Sequence, residues 1–225
     1  MPTIACSEDL LMICKSFIPC VTVLGLWTGS AAAQAPESSK DKATQEEKIV
    51  IGGKEFAIIP AEKLRAHGFD VPQIPRERNA FWVYVEAINA AKDVPPDLRD
   101  AFEPLSRGGI WPEGDTGERL AAWLKENKPA IDLVRRATAM PDYALPPMAS
   151  PGADVTVSSI LLPILSPERQ LARLLAGEAA ALHAHGQSDA AMENYLTMQR
   201  MGNQIASGNL LIECLVGMAI NSLAE

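Results

Sequence analysis

The chain has 225 residues, 48% hydrophobic and 21% charged, a balance that is globular rather than disordered and suffices for one sizeable domain. Its net charge of -8 is spread along the sequence with no Lys/Arg-rich run, which makes nucleic acid and anionic membrane poor partners. Aromatics are only 5%, so the core must come from Leu, Ala, Ile, Val and Met, which favours helices over a β-sandwich.

Lys15 precedes an apolar stretch, residues 16–27, and Ala31-Ala32-Ala33-Gln34-Ala35 follows with small residues at A-x-A spacing. A positive start, a short apolar core and a small-residue cut site define a secretory signal peptide. Residues 1–33 are therefore expected to be removed after Ala33; cleavage after Ala35 would put Pro36 directly behind the cut. The competing reading is an uncleaved anchor. It would need about 20 apolar residues, and this run is shorter and interrupted by Pro19. Phe17-Ile18-Pro19 is not a small-residue lipobox for Cys20, and Glu8 and Asp9 suit an n-region poorly, so Met12 competes with Met1 as the start. Cys6, Cys14 and Cys20 fall in this segment; Cys214 alone would remain, and the exported chain could form no internal disulfide. The expected location is the periplasm, the cell envelope or the medium.

Residues 34–48 are polar and lack apolar period, and they read as a disordered linker. Residues 49–225 form the expected helical domain. It opens on Ile49-Val50-Ile51, Gly52-Gly53 and Phe56-Ala57-Ile58-Ile59, the pattern of a small β-hairpin over residues 49–59. From Asn79 the period becomes helical, with Phe81, Tyr84, Val85 and Ile88 on one face and Pro95-Pro96 as a stop. A short turn is predicted over Asp97–Glu103, and a loop over Arg107–Pro112.

Asp115 with Glu118 reads as a capping box for the next helix, where Leu120, Trp123, Leu124 and Asn127 share a side. Pro129 opens a following helix carrying Ile131, Val134 and Thr138, and residues 141–151 are a Pro-rich break. Ser166-Pro167-Glu168 reads as a helix start, with Ser166 as N-cap and Glu168 favoured by the helix dipole. Leu171, Leu174, Leu175, Ala179 and Leu182 form its apolar stripe, and Gly186 ends it. Ser188 is expected to cap the next helix, with Ala191, Tyr195 and Met198 facing inward, until Gly208. Asn209 then opens a last helix, residues 210–223, which is apolar almost all round. One hairpin can bury only one side of it. The expectation is a domain incomplete at the C-terminus, or a homo-oligomer or partner covering that helix.

The hairpin Leu171–Gln204, with Ala179, Leu182, Gly186, Ala191 and Tyr195 at characteristic spacings, resembles a tetratricopeptide-type repeat. Glu178 departs from the pattern at an apolar position, and there is one good copy where an array needs about three. More widely, Asn79–Tyr84, Trp123–Ala130, Leu174–Ala176 and Leu211–Gly217 resemble, in order, landmarks of a group of uncharacterised exported bacterial helical proteins. That resemblance implies a mainly α fold of antiparallel helical hairpins and an extracytoplasmic location. It supplies no activity and no functional residues.

Candidate chemistry is sparse. On a continuous helix His183 and His185 would diverge by about 200°, which does not suit one metal ion. His67 beside Gly68 reads as a helix C-terminal residue. Ser39 and Lys42 match a Ser-x-x-Lys pattern, but in the linker, where nothing preorganises an oxyanion hole. Asp93, Asp97, Asp100 and Glu103 form an acidic series that matches no calcium loop and reads as a solvated face. Gly52-Gly53 lacks the further Gly and Lys of a phosphate loop, and Cys214, in the apolar last helix, reads as buried and inert. No catalytic, cofactor-binding or metal-binding residue is assigned. The leading expectation is a non-catalytic exported scaffold binding a protein or peptide. The alternative is a cell-envelope hydrolase using acidic residues near 93–103.

Overall fold

A computed structural model describes residues 47–65, 68, 72–153, 160–208 and 210–224. The signal peptide, nearly all of the linker, Ser39 and Lys42, His67 and the Asn209 cap lie outside the described residues. The fold is mainly helical with a small antiparallel sheet.

The hairpin is present as β1 (Lys48–Ile51) and β2 (Lys54–Ile58), so the strand starts at Lys48, inside the segment assigned to the linker. Its register pairs Lys48 with Ala57 and Ile51 with Lys54. Gly52 and Gly53 take φ of 57° and 78°, the conformation that a two-residue hairpin turn requires. Period-two alternation sends Ile49 and Ile51 inward against the helices. The sequence pattern missed a third strand, β3 (Met148–Ala149), which pairs with Ala57 and Ile58. It is two residues long and lies in the Pro-rich break, where neither propensity nor period marks it. The side chain of Asn89 closes part of the outer edge of β1: its amide donates to the Val50 carbonyl at 2.8 Å, and its oxygen accepts from the Gly52 N–H at 2.9 Å.

A short helix, α1 (Ala61–Arg65), follows the sheet. The helical body consists of α2 (Ala80–Ala90), α3 (Arg99–Phe102), α4 (Asp115–Glu126), α5 (Lys128–Thr138), α6 (Leu165–Ala184), α7 (Ser188–Ala206) and α8 (Leu211–Asn221). Short 3-10 turns at Pro96–Leu98 and Glu103–Arg107 flank α3, so the helical path there is longer than the single turn expected. The apolar faces read from the periodicity point inward: Phe81, Tyr84, Val85, Ile88, Leu120, Trp123, Leu124, Ile131 and Val134 are all buried.

Asn79 is a genuine cap. Its side-chain oxygen accepts from the Phe81 N–H at 3.1 Å and the Ala144 N–H at 3.0 Å, tying α2 to the chain after α5. The other expected caps are displaced. Asp115 and Ser188 are already the first residues of α4 and α7, behind Gly114 and Gln187, and neither helix has a side-chain cap bond. Likewise α6 starts one residue before Ser166, at Leu165. These start signals marked the helices but not their first residues, because the final turn geometry is set by packing.

Three antiparallel pairings order the body. The first joins α2 and α5, with the Lys92 N–H donating to Asn127 Oδ1 at one end and the Ala80 N–H to the Asp142 carbonyl at the other. The second is the α6–α7 hairpin. Gly186, at φ 73°, lets the Gln187 N–H return to the Leu182 carbonyl at 2.9 Å. Leu175 and Ala191 are buried between its helices, whereas Leu182 and Tyr195 are half-buried. The third joins α7 and α8 through glycines. A Cβ on Gly202 would come within 2.8 Å of the Gly217 carbonyl oxygen, and a Cβ on Gly217 would overlap that of Gly202.

Candidate functional site

Two places concentrate polar groups. The larger is an open groove of about 780 Å³ between the loop before α4, the start of α4 and the turn joining α6 to α7. The loop is held against α4 by a close approach at Gly117: a Cβ there would strike the Pro112 carbonyl and come within 3.1 Å of the Trp111 indole nitrogen. This contact sets Trp111 along the groove and leaves Ile110 almost fully in solvent, at 95% exposure.

The opposite wall is the end of the hairpin, where His183, His185 and Tyr195 face the same space. Helix α6 stops at Ala184, and His185 has left helical geometry. Both imidazoles therefore line one groove, although a continuous helix would have turned them apart. His185 Nδ1 lies 2.6 Å from the Ala181 carbonyl, which holds the ring as an Nδ1–H donor and turns Nε2 away from that carbonyl. Among the described residues, no group of three or more His, Cys, Asp or Glu side chains is placed to hold a metal ion. The groove's acids are Glu113 and Glu118; no Lys or Arg is among its lining residues, and neither carboxylate has an ion-pair partner among the described residues.

The second place is inside the fold. Glu168, read from the sequence as a first-turn acid favoured by the helix dipole, is fully buried. The Tyr143 hydroxyl donates to its Oε1 at 3.0 Å, and its Oε2 has no hydrogen-bond partner among the described residues. Burial pushes its pKa up to about 8, Tyr143 opposes that shift by hydrogen bonding, and the nearby Glu213 carboxylate adds to it. Burial and the Glu168 charge likewise raise the hydroxyls of Tyr84 and Tyr143 well above their usual value. Tyr84 donates to Gln204 Oε1 at 2.7 Å, and Gln204 Nε2 donates on to the Met140 carbonyl at 2.9 Å. The shift at Glu168 favours the protonated carboxyl in this surrounding.

The acidic series is not gathered into a site. Asp93, Asp97, Asp100 and Glu103 are exposed; Asp97 pairs with Arg119, and Glu103 with Arg107 at 3.1 Å. Asp93 lines a second cavity of about 400 Å³, shared with Lys92, Ser166 and Gln170. Cys214 is half-buried rather than buried.

Sequence reading missed the groove because its walls come from segments about 60 residues apart, joined only by folding. Glu178 did carry a signal, as the charged residue at an apolar position of the hairpin. It is the acceptor at the centre of a partly buried network, taking Arg135 at 2.6 Å and Asn194 at 2.8 Å on its Oε2. That network joins α5, α6 and α7.

No protein-family model matches the chain, and no curated protein or solved structure does either.

Proposed function

We propose that the protein is a non-catalytic exported helical scaffold that binds a segment of another protein, or a free peptide, in the groove beside the α6–α7 turn. The observation that supports this most is the make-up of that groove. It is open to solvent, it offers Ile110, Trp111 and Tyr195 as apolar and aromatic contacts, and it adds Glu113 and Glu118 with no Lys or Arg among its described lining residues. Aromatic side chains give large contact area at little conformational cost. Carboxylates beside them select basic groups and speed encounter. The matching ligand is an extended segment with an apolar side chain next to Lys or Arg.

Export rests on residues 12–33, and a tetratricopeptide-like reading of α6–α7 agrees with a binding role for the hairpin. Membership of the exported helical group named above is part of the same proposal. Two measurements test it. Mass spectrometry of the envelope fraction should find a mature chain starting near Gln34; peptides from residues 12–30 in that fraction would defeat cleavage. Selection from a random peptide library on the purified protein should enrich sequences pairing apolar with basic residues. Failure to enrich any would count against the groove.

A further inference from the structure

The solvent side of α8 is a strip of large apolar side chains. Leu211, Leu215 and Met218 recur at helical spacing and are 78%, 52% and 59% exposed. Leu210 and Ile212 widen the strip. The opposite side, with Val216, Gly217 and Ile220, is the one packed into the fold. The sole charged residue of α8, Glu213, is turned inward, where its carboxylate accepts from the Leu210 N–H at 2.9 Å. The strip therefore carries no charge from one end to the other.

We propose that this strip docks on a second copy of the same chain, each α8 lying against the other across a twofold axis. Two properties favour a second copy over a different protein. A distinct partner is normally selected by complementary charge or buried polar groups, and the strip offers neither. Self-pairing across a twofold needs only an apolar stripe that matches itself. The area also fits. The five side chains present on the order of 500 Å² of apolar surface, so full cover in two copies would bury roughly 1,000 Å², the threshold that a biological interface should clear. A soluble monomer rarely leaves more than a few hundred Å² contiguous. At 11 residues α8 is too short to cross a bilayer, and no described helix is long and apolar enough to do so.

The test is light scattering on the full chain from about 0.1 to about 100 µM, with helix content checked by circular dichroism. A dimer is expected at the upper concentrations. Each chain carries a net charge of -8, so added salt should strengthen an apolar dimer by screening repulsion; a charge-driven contact would weaken. Leu215→Glu should raise the dimer dissociation constant by about a hundredfold or more while leaving the helix content unchanged. If Leu215→Glu fails to fold, Leu211→Glu decides, because Leu211 is mostly in solvent. A monomer at all concentrations, an open-ended assembly, or a dimer that survives the substitution would each overturn the proposal; survival would place the association elsewhere on the chain.

Discussion

Tyr143 donates its hydroxyl at 3.0 Å to a carboxylate, Glu168, that has no exposed surface at all. The sign of the consequence follows from the two protonation states. Glu168 titrates near 4.5 when unfolded and near 8 in the fold, so between those values the native state holds a proton that the unfolded chain has released. The stability linked to this group is full below about pH 4.5 and is lost as pH rises towards about 8. The loss is several kcal/mol, at most about 5 by linkage. Glu168→Gln keeps the shape and the acceptor for Tyr143 but cannot ionise. Denaturant melts at about pH 5 and about pH 8 should show a markedly smaller decline in this variant than in the wild type. Matching pH profiles would show that Glu168 is not held neutral.

The Glu178 network makes a different prediction. Glu178 is 16% exposed and Arg135 31%, and Asn194 is fully buried. Glu178→Ala leaves the Asn194 amide without its acceptor and removes the pillar between three helices. The expected cost is about 2–4 kcal/mol in a denaturant melt. Glu178→Gln should cost less, since it can still accept from both partners. A loss below about 0.5 kcal/mol in the alanine variant would reduce the network to surface decoration.

The contact between Gly202 and Gly217 is tight enough that a methyl group on either meets backbone. Gly217→Ala should therefore separate α7 from α8 and cost about 1–3 kcal/mol, although alanine is the better helix former by about 1 kcal/mol. A stabilised Gly217→Ala protein would show that α8 is not seated at this crossing.

Helical periodicity made α2, α4, α5, α6 and α7 legible because each presents one apolar stripe to a common core. The β-hairpin was legible through Gly52-Gly53 between two β-rich runs. Helix α8 was legible as a helix with more apolar surface than its neighbours can cover, and its exposed Leu211, Leu215 and Met218 show the surplus. Three features left no local trace. A two-residue strand such as β3 is too short for a period. The polar surroundings of Glu168 are made by Tyr84, Tyr143 and Glu213, which arrive from distant segments. The groove needs the Trp111 loop and the α6–α7 turn to meet. Gly202 and Gly217 sat in plain view, but a glycine inside a helix signals close packing only once its neighbour is known.

Occupation of the groove is the claim on which the functional reading depends, and one comparison of affinities tests it most directly. Ala121 is exposed and lines the groove, so Ala121→Trp fills it without touching the core. Peptides selected on the wild-type protein should bind it with a dissociation constant on the order of micromolar, and bind Ala121→Trp at least about tenfold more weakly, with the two proteins equally stable. Equal affinity for both proteins would place the binding surface elsewhere and contradict the account.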